Sequence, residues 1–136
     1  MSKLIRLSTG KTVNEVTAAL QAVVSANRLD VTQVLNLKEL TKRGLKFASE
    51  CVIVEICQLR QGNAAPDVNT GTATGLPCRI SIYVKGGRTI LAALKPTSLL
   101  TMFNAPQLAR VARELEATIV KIMREAARGG GQRVPV

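Results

Sequence analysis

The chain is predicted to be an α+β two-layer sandwich: one mostly antiparallel sheet of about five strands with helices on one face. Three observations carry this. Apolar residues fall at every second position in several short stretches, most clearly Val52, Val54 and Ile56, then Ile80, Ile82 and Val84. Gly86-Gly87 separates two such stretches, a two-residue hairpin signal because both turn positions accept positive φ. Near the end, Leu108, Val111, Ala112, Leu115, Ile119, Ile122, Met123 and Ala126 form one stripe at helical spacing.

In chain order, Lys3 to Ser8 is short and strand-like. Thr12 to Glu15 spell a capping box, in which the Thr hydroxyl accepts an amide and Glu15 reaches back. Val13, Val16, Leu20, Val23 and Val24 then mark a helix to about Asn27. Asp30 to Leu37 favours a second strand, with Val31, Gln33 and Leu35 on one face and Thr32, Val34 and Asn36 on the other. Asn36 can cap a short helix that runs to about Arg43, where Gly44 ends it. Cys51 to Cys57 is the third strand. The stretch from Gln61 to Gly75, rich in Gly, Asn, Thr and Ala, is expected to be a mobile loop, because it buries too little to offset its ordering entropy. Cys78 to Lys85 and Arg88 to Leu94 follow as a hairpin, Pro96 ends the second strand, and Thr97 to Phe103 forms a short helical turn. The last helix opens at Asn104 or Ala105, with Pro106 in its first turn, and presents Arg110, Arg113, Glu114, Glu116, Lys121 and Arg124 opposite its apolar stripe. Residues 1–128 form one domain and 129–136 a flexible tail.

Composition narrows the function classes. With 136 residues and 46% hydrophobic content the chain builds one core, and with only Phe47, Phe103 and Tyr83 aromatic that core is aliphatic. No apolar run approaches the roughly 20 residues of a membrane span, and no secretory signal is read at the N-terminus, so a cytoplasmic protein without membrane insertion is expected. Three cysteines argue against a disulfide framework. The net charge of +10 admits a polyanionic partner, and the densest basic patch is Lys38, Lys42, Arg43 and Lys46.

Chemistry is scarce. The chain has no histidine, so Ser-His and Cys-His nucleophiles are excluded, and the spacing of Cys51, Cys57 and Cys78 lacks the close pairs and fourth ligand of structural zinc. No cofactor, metal site or catalytic residue is assigned. Cys57 and Cys78 are the candidate ligand-binding thiols, with Glu55, which interrupts an apolar strand, and Tyr83 beside them. Strand parity places Cys57 on the face opposite Val54 and Ile56, and Cys78 on the face of Ile80 and Ile82. A disulfide between opposite faces needs a bend to reach a Cα separation of roughly 4.4–6.8 Å.

Two segments carry a resemblance. Leu76-Pro77-Cys78-Arg79-Ile80 opens a strand that runs into the Lys85-Gly86-Gly87-Arg88 turn, some twenty residues after a strand that ends Ile56-Cys57-Gln58-Leu59. Over about residues 3–127 the chain resembles domain of unknown function family 302, whose members carry Cys-Asn-Pro at the first position and Leu-Pro-Cys at the second. Here Gln58-Leu59 replaces Asn-Pro, and the loop 61–75 replaces an amphipathic helix. The resemblance implies a compact domain similar to the TATA-box-binding-protein-like fold, often a homodimer, and no established reaction.

The reading is a non-enzymatic, dimeric binding or scaffold domain with a thiol-centred ligand or metal site. The alternatives are a nucleic-acid or other polyanion binder, and a thiol-redox or sulfur-handling protein. The expected two-fold contact uses an edge strand or the second sheet face, on which Ile53, Tyr83 and Leu91 are placed. Polyanion contact is expected to be weak and sequence-blind.

Overall fold

The computed structural model describes residues 3–39, 50–57, 78–101 and 108–128. Strand β1 (Leu4–Thr9) leads into helix α1 (Val13–Ala26) and strand β2 (Asp30–Asn36). Strands β3 (Cys51–Cys57), β4 (Cys78–Lys85) and β5 (Arg88–Leu94) follow, then a 3-10 turn (Pro96–Thr101) and helix α2 (Leu108–Arg128). The sheet has the order β1-β5-β4-β3-β2, with every neighbouring pair antiparallel. The α+β sandwich is therefore as the alternation and the terminal stripe predict. The loop 61–75, the residues Lys42, Arg43 and Lys46, the start of the last helix and the tail 129–136 lie outside the described residues.

Local chemistry accounts for the elements. The Glu15 amide donates to the Thr12 hydroxyl at 3.1 Å and the Thr12 amide to the Glu15 carboxylate at 2.9 Å, a complete capping box. The helix ends in a Schellman arrangement: the Leu29 amide donates to Val24 O at 3.1 Å and the Arg28 amide to Ser25 O at 3.2 Å. This places Arg28 in the left-handed region at φ 63°, where glycine is the usual residue. Gly86 and Gly87 both have positive φ, 62° and 78°, which pairs Lys85 with Arg88 and sets the register of the hairpin.

One sheet face holds the core. Val52, Val54 and Ile56 of β3, Cys78, Ile80 and Ile82 of β4, and Leu91 and Ala93 of β5 are buried beneath α1 and α2. From α1 come Val13, Val16, Leu20 and Val24, and from α2 Leu115, Ile119, Ile122, Met123 and Ala126. The far end of α2 is tied to the strand layer by side chains that meet its last carbonyls. The Thr9 hydroxyl donates to Ala127 O at 2.7 Å and the Lys11 ammonium to Ala126 O at 2.9 Å. Nearer its middle, the Thr97 hydroxyl donates to Glu116 Oε1 at 2.6 Å and so holds the 3-10 turn against α2.

Three expectations need correction. Leu91 is fully buried in the core, because the two-residue turn places it opposite Ile82, and Ile90 takes its position on the other face. Val111 is 38% exposed rather than part of the buried stripe. In β2 a bulge between Val31 and Gln33 breaks the alternation: Val31 pairs with Ile56 on the core face, while Gln33 and Leu35 pair with Glu55 and Ile53 on the opposite one.

Candidate thiol site and the open sheet face

Cys57 closes β3 and Cys78 opens β4, so both lie at one end of the sheet. The registers place Cys57 opposite Asp30 on β2 and Cys78 opposite Ile56 on β3, which makes the two cysteines diagonal neighbours on adjacent strands. Their faces differ. Cys78 points into the core and is buried, whereas Cys57 is half-buried on the opposite face, and both thiols are free. Burial pushes the Cys78 thiol up to about 12, with the nearby Cys57 adding to the effect. Burial raises the half-buried Cys51 thiol as well. A thiol held protonated is a poor nucleophile and a poor metal ligand, so Cys78 behaves at neutral pH as a small apolar core residue.

Glu55 sits on the open face beside Cys57, and both of its oxygens are engaged. The hydroxyl of Thr32, the residue at the bulge, donates to Oε1 at 3.0 Å. Arg79, opposite Glu55 in the register, meets Oε2 at 3.2 Å. This trio lies at the margin of the face. Tyr83 occupies the far side of the same face, opposite Cys51 on β3 and Ile90 on β5, and does not adjoin the Cys57 end. The structure thus brings Cys57, Cys78 and Glu55 to one end and leaves Tyr83 apart. Lys38 is exposed just past β2, where the Asn36 side chain accepts its amide at 3.0 Å. Among the described residues no group of three or more His, Cys, Asp or Glu side chains could hold a metal ion.

Between these margins the open face is apolar where an exposed antiparallel sheet would ordinarily be polar. Across its middle run Ala92, Ser81, Ile53 and Leu35 in register, flanked by Ile90, Tyr83 and Cys51. Leu4, Leu35 and Leu94 are among the exposed large hydrophobic residues. Sequence reasoning placed Ile53 and Tyr83 here but missed Ile90, Ala92 and the Thr32 contact. The bulge that directs Thr32 has no sequence signature, whereas the hairpin turn, followed residue by residue, would have placed Ile90.

A two-layer sandwich with one helix-covered face, one open face and a thiol pair at a sheet end defines the class of domain. The family model described as Domain of unknown function DUF302 matches residues 5–126, and the chain belongs to that family. It is similar to the crystal structure of an uncharacterized conserved protein DUF302 from Bacillus stearothermophilus, with a TM-score of 0.82 and 23% sequence identity over 94% of this chain and 100% of that one. That likeness shows the fold. No curated protein matches the chain. No helix among the described residues is long and apolar enough to cross a membrane.

Proposed function

We propose that the protein is a non-enzymatic cytoplasmic scaffold or binding domain whose open sheet face meets a second copy of the chain, with the Cys57 thiol at the margin of that contact. The supporting observation is the apolar band of Leu35, Ile53, Ala92, Ile90 and Tyr83 on a face that nothing in the chain's described residues covers. An apolar centre rimmed by Arg6, Arg79 and Glu55 has the anatomy of a protein interface. A two-fold contact places the same patch on both partners, so one self-complementary face suffices. The absence of histidine from the sequence, the protonated Cys78 thiol and the engaged Glu55 oxygens favour binding over catalysis. On this reading Cys57, the accessible thiol, is the ligand candidate at the contact margin, Cys78 serves the core on the other face, and Tyr83 lies within the contact face.

Light scattering at micromolar concentration is expected to report about 29 kDa, twice the 14.5 kDa of one chain. Ser81→Arg, at the centre of the face, is expected to give a folded monomer. A 14.5 kDa particle for the unaltered chain would remove the reading, and a dimer unaffected by Ser81→Arg would move the contact to an edge strand.

A further inference from the structure

The outward side of α2 carries a cationic track, in two clusters on either side of Ala117, that the open-face reading does not use. Arg110, Arg113, Lys121, Arg124 and Arg128 are all exposed. At about 100° per residue they fall within a sector roughly 80° wide, with Ala117 in the gap. At ~1.5 Å rise per residue the track from Arg110 to Arg128 is about 27 Å long. The helix's acids border it on one side. Glu114, bonded to Arg110 at 3.2 Å, and Glu125 lie along its flank, and Glu116 is turned toward Thr97.

Helix stability explains only part of this pattern: Arg110 pairs with Glu114 at i,i+4, and Arg128 stands in the last turn, where the macrodipole favours a cation. Lys121 with Arg124, and Arg124 with Arg128, are like charges at adjacent helical positions and repel. A surface selected for solubility alone would mix the signs.

We infer that this track binds the phosphate backbone of double-stranded nucleic acid. Four of the five cations are arginines, whose planar fork engages phosphate oxygens bidentately. The length and linearity suit a duplex edge, which presents phosphates at regular intervals over many ångströms. A bilayer fits poorly, because the apolar side of α2 is committed to the core and the track offers only Ala117 to an acyl layer. The track carries no Asn, Gln or aromatic side chain, so binding reads no sequence. It lies on the helix layer, away from the open sheet face, and does not depend on a second copy.

The test is fluorescence anisotropy with a labelled 20-base-pair duplex DNA of arbitrary sequence, titrated from 50 to 200 mM salt. Five phosphate contacts, the upper limit because Arg110 must exchange its Glu114 partner, give a log–log slope of up to about −4.5, an affinity loss of up to about 500-fold over that range. The triple variant Arg113→Gln, Lys121→Gln, Arg124→Gln is expected to flatten the slope to about −1.8, a loss of about tenfold. The triple Lys42→Gln, Arg43→Gln, Lys46→Gln, with the same change in charge, is expected to keep the original slope. Ala117→Glu, which puts an acid mid-track without removing a cation, gives an independent check should the first triple fail to fold, and is expected to weaken binding. Equal flattening by both triples, an unchanged slope in the α2 triple, unchanged affinity in Ala117→Glu, or binding to phosphatidylserine vesicles without binding to the duplex would each overturn the inference.

Discussion

Arg28 and Cys78 show how single residues carry a stability cost or a pH response. Arg28 holds φ 63° to complete the Schellman end of α1, a conformation that costs an L-residue about 1–2 kcal/mol. Part of that cost returns on substitution by glycine, because glycine loses more backbone freedom on folding. Arg28→Gly is therefore expected to stabilise by about 0.5–1 kcal/mol, a rise of a few degrees in melting temperature. A lower melting temperature would mean that the arginine side chain contributes a contact outweighing its strain. For Cys78, folded and unfolded thiols are both protonated below the ordinary value of 9.0, and the group adds no pH dependence there. Above it the unfolded thiol ionises while the folded one keeps its proton to about 12, so stability falls as pH rises. The slope between is about 1.4 kcal/mol per pH unit. Urea melts from pH 8 to 10.5 should show this decline in the native chain and a shallower one in Cys78→Ala. Parallel profiles would show that the thiol is not held in the core.

At the scale of elements, α2 is the organising piece. Leu115, Ile119, Ile122, Met123 and Ala126 enter the core, while Thr9, Lys11 and Thr97 hold the helix along its length. Leu115 is 3% exposed, and an aspartate there would be an uncompensated buried charge that costs several kcal/mol. Against a total stability of about 5–15 kcal/mol, Leu115→Asp is expected to abolish the cooperative melt. An unaltered melting temperature would contradict this packing. The strands contribute differently. The turn at Gly86 and Gly87 sets the β4–β5 register by local backbone chemistry, while β2 obtains its register only by pairing with β3 around the Thr32 bulge.

For the whole molecule the asymmetry of the two sheet faces matters most. The helices cover most of one face, with Val34 and Val84 left exposed at its periphery, and among the described residues the other carries an apolar band and a charged margin. If that band closes against a second copy, folding and association are linked, and the melting temperature should rise with protein concentration across the micromolar range. A concentration-independent melt together with a monomeric particle would place the band's role elsewhere. The cationic track of α2 faces away from the band, so one domain can present a self-association surface and a polyanion surface at once. The odd thiol chemistry falls between these two layers, with Cys78 on the helix side of the sheet and Cys57 on the open side.

The α+β class, the strands around Cys51–Cys57 and Cys78–Leu94, the capping box at Thr12 and the apolar face of α2 are legible in the chain before it folds. These follow from periodicity and local turn chemistry, which act between residues close in the chain. Parity along each strand also predicts opposite faces for Cys57 and Cys78 when both apolar sets face the core, and leaves a bend at the strand ends to be read from the fold. The burial of Leu91 was within reach of the local turn, which sets it opposite Ile82, but the strand order, the β2 bulge and the exposure of Val111 emerged only on folding. Those depend on which element lies over which, a matter of long-range packing that no local pattern encodes. The same holds for Glu55. In sequence it is an acid interrupting an apolar strand, and its partners Thr32 and Arg79 come from two other strands that meet it only once the sheet has formed.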